Sequence, residues 1–504
     1  MPVPAQRGPH GHTRHHHRHR QGARAKVATK VGAWLAAASL QAGGAGLPAS
    51  AQDAQTQAGP DCQPRAFQYV RSEEDYSAWR LRRCDRDPLD RLRYLELGSA
   101  GVVSVGGEVR LRYEIDDSDT FVGTQGDGDG AFFGRAYLFA DWHASDWLRT
   151  FVNLRATEAW DRESGSRTVD DAGLDLQEAF VELGPTRDLA LRLGRQEFSL
   201  PTRPPSRLLS ARNGLNVRRT FDGAHVLFEP EGARGDAFYL ETVDPERGAF
   251  NDEASGTERI WGASAEFSPT DSLSWRAYYY GFADEEAEFQ AAFGDETRHT
   301  LGARAARAAA PGRVDFDAEA AWQWGDLEPG EAAGAERDIR AGFVALDAGY
   351  TTELPLSPRF GFQAYWSSGD DADGEDLGTF NALYPSGAYL NDASLLRGQN
   401  LASLGLRSDL ALPWDIGLSV FHNEYWRVSR DDGVYAVSGA LSRAAVPGAS
   451  RRVGSYTGLR SSIPLSLRID AAVQAGVFDT GAFLRETGPS DDHIFVRLDL
   501  RFRL

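Results

Sequence analysis

Nowhere in the 504 residues do roughly 20 apolar side chains run together, the length a membrane-spanning helix needs. A transmembrane helix is therefore excluded, and any passage through a bilayer has to be made of strands. Cysteine occurs only as Cys62 and Cys84, both near the start of the chain. They suit a disulfide in an oxidising compartment better than a metal or catalytic centre. Lysine is absent beyond Lys30. Histidine is scarce after residue 51, leaving His143, His225, His299, His422 and His493, none in a recognisable serine-hydrolase setting. Acid pairs such as Asp170-Asp171 and Asp370-Asp371 fall in loops, where they suit water or calcium better than chemistry. No catalytic site, metal site or cofactor is expected, and the protein reads as something other than an enzyme.

The N-terminus carries an address. A basic stretch from Arg7 to Lys30 leads into a short apolar run over residues 31–40, and Ala49-Ser50-Ala51 offers small residues for cleavage. Residues 1–51 are thus expected to be a secretory signal, and the tract His15-His16-His17 belongs to the part removed. Loss of the seven basic residues of this segment takes the formal net charge from −19 to −26. An acidic mature chain whose basic groups are all arginine argues against nucleic acid as a partner. Residues 52–100 lack periodicity and are rich in charge, as a periplasmic lead-in would be, and 101–504 form the remaining domain.

That domain alternates. In 493–504, Ile494, Val496, Leu498, Leu500, Phe502 and Leu504 fall on one face of an extended strand, and Arg497, Asp499, Arg501 and Arg503 on the other. Residues 465–477 repeat the pattern. Earlier, Val105, Gly107, Val109, Leu111 and Tyr113 alternate with Gly106, Glu108, Arg110 and Arg112. Such strands also suit an antiparallel sandwich. The connections decide between the two. About eighteen candidate strands from residue 103 onward are joined alternately by long polar segments, such as 116–130, 199–216, 368–399 and 430–451, and by short ones, such as 145–147, 184–187, 413–414 and 463–464. The expected fold is all-β, a transmembrane antiparallel barrel of about 18 strands with long extracellular loops and short periplasmic turns. Mean hydropathy below zero is no obstacle, because only alternate residues meet lipid. Trp142, Trp147, Trp275, Tyr279, Phe360 and Trp366 suit interfacial girdles.

Parity sends many guanidinium groups inward, suiting a water-filled passage for a carboxylate-bearing solute. Inward acids, among them Glu108, Glu114, Asp141, Glu178, Glu182, Asp409, Asp470 and Asp499, are positioned to neutralise many of them pairwise.

Several motifs, in one order, resemble the alginate export family of outer-membrane proteins. They are Leu193-Gly194-Arg195-Gln196-Glu197, Arg219-Thr220-Phe221-Asp222-Gly223, Ser368-Gly369-Asp370 with Thr379-Phe380-Asn381-Ala382-Leu383-Tyr384-Pro385, Tyr425-Trp426-Arg427 with Asp432-Gly433-Val434-Tyr435, and Gly481-Ala482-Phe483-Leu484 with Thr487-Gly488. The chain departs from that family in ending on Leu504 rather than Phe. The resemblance implies a monomeric eighteen-stranded barrel in outer-membrane lipid, with an arginine-lined constriction for an acidic polysaccharide. On that basis Arg110, Arg135, Arg155, Arg195, Arg407, Arg460 and Arg468 are the expected pore-lining substrate contacts. Arg195 breaks its strand's alternation and marks either a bulge or the outer rim. The expected function is an outer-membrane channel for an anionic polysaccharide such as alginate; the alternative is a substrate-selective diffusion porin for small organic solutes, and the expected partner is the anionic polysaccharide or a small anionic solute.

Overall fold

An apolar/polar alternation has one stable use in a closed sheet, with the apolar parity outside and the polar parity inside. A computed structural model of the chain bears this out segment by segment. It describes residues 67–68, 70–74, 76, 88–117, 127–162, 165–186, 188–199, 207–270, 272–330, 335–371 and 374–504. The expected secretory segment with its histidine tract, Cys62 and Cys84 lie outside these.

Among the described residues the barrel is built of eighteen antiparallel strands: β1 (Val102–Asp116), β2 (Asp127–Ser145), β3 (Leu148–Trp160), β4 (Gly173–Thr186), β5 (Leu189–Gln196), β6 (Phe221–Phe228), β7 (Ala233–Asp244), β8 (Glu253–Thr270), β9 (Leu273–Glu288), β10 (Phe293–Arg307), β11 (Arg313–Pro329), β12 (Arg337–Thr351), β13 (Arg359–Ser367), β14 (Leu401–Leu412), β15 (Ile416–Arg427), β16 (Arg452–Pro464), β17 (Ile469–Thr480) and β18 (His493–Arg503). Each pairs with its neighbour in sequence. The sheet closes where β1 meets β18, with Glu108 opposite Arg503 at one end and Asp116 opposite Phe495 at the other. One short helix, α1 (Ala482–Thr487), lies in the last long loop.

The faces sort as the alternation predicts. Val109 and Leu111 on β1, Leu138 and Trp142 on β2, and Leu498 and Leu500 on β18 are exposed, whereas Arg110, Arg112, Arg135, Asp141 and Arg497 are buried. Trp142, Trp147, Trp275 and Phe360 are exposed toward the short-turn end. Tyr279 stacks with His299 and packs against Trp324 further along the outer wall. Inside, small residues make room for large ones across strands. Gly302 on β10 faces Tyr278 on β9, and a Cβ there would overlap the tyrosine ring.

The outward face gives a direct test. Leu406 on β14 is 68 % exposed. Leu406→Arg is expected to cost about 2–4 kcal/mol, the depth-dependent penalty for a cation on the lipid face. Urea unfolding from lipid vesicles measures it, and an unshifted transition would mean this face does not meet hydrocarbon.

One strand begins later than its alternation does. Residues 465–468 form a turn, in which the Leu465 and Ser466 amides donate to the Ile469 carbonyl, so β17 begins at Ile469.

Candidate functional site

Inward arginines on the wall are held mostly by acids on the facing strand. Arg192 lies opposite Glu182 and donates to its Oε2 at 3.0 and 2.8 Å. Arg276 lies opposite Glu266 at 2.9 Å, and Arg497 opposite Glu114 at 2.6 Å. Arg112 bridges to Asp499 at 2.7 Å, and Arg149 to Asp141 at 2.7 Å. Opposite charges across a ladder stabilise the sheet, and charge-assisted geometry fixes the side chains. These arginines build the wall and are not free for a solute.

The bore is crossed by its own loops. After β5, residues 207–220 leave the wall and run through the lumen. At one end Arg207 donates to Asp317 and Glu319 on β11, both at 2.9 Å, and pairs with Asp347 on β12. At the other end the Asn213 and Leu215 carbonyls accept from Arg110 on β1 at 3.0 and 2.9 Å. Those two wall positions are ten strands apart in a barrel of eighteen, so the segment is a bar from one side to the other. Midway, the Ser210 amide donates to the Tyr384 carbonyl at 2.9 Å and the Tyr384 amide to the Leu208 carbonyl at 2.8 Å. Tyr384 belongs to the second inward loop, 368–400, between β13 and β14. At the short-turn end, Arg71 donates to the Gly107 and Leu504 carbonyls, and the Ser72 hydroxyl to Glu178 at 2.8 Å. The lead-in thus packs against inward groups of the wall.

The seven expected contacts fall in different places. Arg110 and Arg135 hold the bar, Arg110 through Asn216 Oδ1 at 2.8 Å and Arg135 through Asn213 Oδ1 at 3.0 Å, while Glu108 on β1 accepts from Arg135 at 2.7 Å. Arg155 is buried against Asp252 at 2.8 Å. Arg195 carries the outward parity of Leu193, is clamped by Asp222 at 2.9 Å, and keeps unbroken register with β6. It is therefore a rim residue without a bulge, and it does not line the bore. Arg468 lies in the turn before β17, bound to Asp90 at 2.6 Å, so it too is not on a strand face. Only Arg407 and Arg460 are brought together at open space. They line a cavity of about 360 Å³ with Arg359, Asp347 and Tyr389 on the short-turn side of loop 368–400. Arg460 still binds Asp392 and the Ala388 carbonyl.

On the opposite side of the same loop lies a second cavity of about 260 Å³, lined by Arg219, Arg397, Glu258 and Tyr384 among others. Sequence parity missed its guanidiniums because they sit on loops. Arg219 stacks over the Tyr384 ring at 4.4 Å and has no described carboxylate within 4 Å. Arg212, near it in the bar, has a buried Nε without an acceptor. Removal from water, then the charge of Arg219, draws Arg212 down to about 9 and Arg397 to about 10, and removal from water lowers Arg219 too. All three are cations at neutral pH. Such groups raise the affinity of the site for an added anion. The legible trace was the blocks Arg219–Gly223 and Thr379–Pro385, which meet here across Arg219 and Tyr384.

Three solved outer-membrane proteins share this architecture at low identity. One is OpdK from Pseudomonas aeruginosa (13 % identity, TM-score 0.54, covering 80 % of this chain and 99 % of that one). Another is OccAB2 from Acinetobacter baumannii (11 %, 0.54, 81 % and 99 %). The third is OccK2 from Pseudomonas aeruginosa, solved in complex with glucuronate (14 %, 0.51, 80 % and 98 %). No curated protein sequence matches the chain. Residues 102–496 match the sequence profile of the family described as alginate export. With its closed barrel, the chain belongs to the alginate export family and is a channel of the bacterial outer membrane.

Proposed function

We propose that the barrel passes a small carboxylate-bearing solute of about the size of one uronate. The observation that carries this reading is Arg219, a cation stacked on Tyr384 beside a cavity of about 260 Å³, with no described carboxylate within 4 Å and with Glu258 and Asp244 acting on it only from further off. A carboxylate entering there gains charge-assisted hydrogen bonds that water alone would otherwise make. The cavities on the two sides of loop 368–400 are each of single-residue dimension, near the low end for ligand pockets. Glucuronate bound to OccK2 supports the class of solute by analogy of fold alone.

The second reading is export of an anionic polysaccharide such as alginate, favoured by the family match over residues 102–496. A polymer strand needs the bar at 207–220 to leave the bore first. In either reading a single closed barrel, seated in outer-membrane lipid, suffices as the working unit, and no cofactor or metal enters the transport.

The test compares entry of glucuronate and glucose, matched in size, into proteoliposomes holding the full mature chain. Glucuronate is expected to enter faster, and Arg219→Glu to remove that preference by about tenfold, the effect of replacing one attractive charge by a repulsive one in a narrow passage. Faster entry of glucose through the unaltered barrel would sink the proposal.

A further inference from the structure

The cavity beside Arg219 is two-sided. Its guanidiniums, Arg219 and Arg397, come from the inward loops, whereas its carboxylates come from the barrel wall. Two of the latter, Glu258 on β8 and Asp284 on β9, are direct partners across the ladder. Like charges directly opposite one another weaken a sheet. Elsewhere on the wall many inward acids are met by an arginine, as Glu266 is by Arg276. Here no described guanidinium lies within 4 Å of Glu258 or Asp284; Glu258 instead accepts from the Tyr384 hydroxyl at 3.0 Å. A separate observation lies at the same place. Gln399 lines the cavity, is 3 % exposed, and its side-chain oxygen has no donor. A buried acceptor without a donor carries an unmet desolvation cost.

From this juxtaposition we propose that the cavity binds a zwitterion, a solute carrying a carboxylate and an ammonium group on one small frame. The carboxylate meets Arg219 and Arg397. The ammonium lies toward Glu258 and Asp284, and its three N–H donors also serve the orphaned oxygen of Gln399. An amino-uronate or a free amino acid has this chemistry, and a plain uronate supplies half of it. The inference rests on the reading of the channel as a conduit for carboxylate-bearing solutes and narrows it. Charges of both signs on facing walls also favour the zwitterion over a singly charged solute, which leaves one wall unpaired.

Single-channel recording of the full mature barrel in a planar bilayer tests this with three size-matched probes: glucuronate, glucosamine and 2-amino-2-deoxyglucuronate. Blocking events by the amino-uronate are expected to last about tenfold longer than those of either other sugar, the value of one added charge-assisted contact. In E258Q/D284N this advantage is expected to vanish, and the insertion of open channels by the variant shows that it is folded. Equal dwell times for amino-uronate and glucuronate in the unaltered protein, or an advantage that survives E258Q/D284N, overturn the zwitterion site and leave the carboxylate conduit standing. Absence of glucuronate block together with indifference to R219A overturns both.

Discussion

Replacing Arg207 with alanine is expected to destabilise the barrel by about 3–5 kcal/mol and to raise its conductance. The first effect follows from where the guanidinium sits. Arg207 is buried, with Asp317 and Glu319 each accepting at 2.9 Å, Asp347 beside it, and the Tyr389 ring 4.8 Å away. Taking one partner from a buried ion cluster leaves the others charged and unpaired, which costs far more than the cluster contributes relative to an apolar core. The remaining donors soften this. Asp317 keeps Arg304, Glu319 keeps the Tyr278 hydroxyl at 2.9 Å, and Asp347 keeps Gln363 at 3.0 Å. The loss is therefore expected toward the lower end of that range. Lysine at 207 should recover only part of it, since a single ammonium does not reproduce a fork aimed at three carboxylates. The second effect follows from the bar: without Arg207 the segment loses its ion pairs to β11 and β12 and keeps the backbone tie to Tyr384 and the anchors at Arg110 and Arg135, so its Arg207 end is freer to move in the bore. Urea unfolding from vesicles and single-channel current read the two effects separately. An Arg207→Ala barrel with unchanged midpoint and unchanged current would mean the bar is held by something else.

This bar also frames the choice between a small solute and a polymer. A chain of uronates needs a continuous passage, but the bridge of Leu208 and Ser210 with Tyr384 ties two loops together in mid-lumen through a pair of backbone hydrogen bonds. Under the small-solute reading a single sugar needs only local side-chain motion between the Arg219 and Arg460 cavities, whereas a polymer requires the tie to open. If Arg207→Ala admits oligouronates that the unaltered barrel excludes, the loops are the selectivity device and the arginine wall is the scaffold.

The wall was readable in the residues because its periodicity is two. Val109 and Leu111 against Arg110 and Arg112, or Leu498 and Leu500 against Arg497 and Asp499, assign their faces without any knowledge of register. The pairing of inward arginine with inward acid was expected in kind, but which acid meets which arginine depends on strand register, and that is set by turns and bulges far from the pair. Arg195 and Arg468 show the limit: both count as arginines near a strand, yet one falls on the outer parity at the rim and the other in a turn. The cavity residues were beyond this kind of reading. Arg212, Arg219 and Arg397 lie on segments with no repeat, and their placement depends on contacts across the lumen, such as Arg207 with Asp347, that join residues 140 apart in sequence. Only the motif blocks, rich in Arg, Asn, Tyr and Asp where a loop would tolerate anything, marked those segments as packed.

A second anchor permits a sharper test, because its energetic and its gating consequences separate. Arg298 and Glu296 on β10 are fully buried and joined to each other, with Arg298 also donating to Gln323 at 2.8 Å and to the Thr379 carbonyl at 3.1 Å. Gln323 and Glu296 in turn hold Asn381, the former donating to its carbonyl at 2.8 Å and accepting its amide at 3.0 Å, the latter accepting its side-chain amide at 3.1 Å. This part of loop 368–400 is thus pinned to the wall by one buried charge pair and Gln323, while Arg460 holds the loop separately at Asp392 and Ala388. Arg298→Met strands the Glu296 carboxylate and is expected to cost about 3–5 kcal/mol. Removing both charges in R298M/E296M should restore most of that, to within about 1–2 kcal/mol of the unaltered chain, since paired apolar side chains replace a buried ion pair with little net loss and only the Thr379 carbonyl and Asn381 amide remain short of a partner. Gating should not recover in step. Both variants release Thr379 from the wall, so both are expected to show more frequent current fluctuations than the unaltered barrel, the double variant as much as the single. Should the quiet open current return along with stability in R298M/E296M, the loop is pinned by packing alone, and the charge network serves only to balance itself.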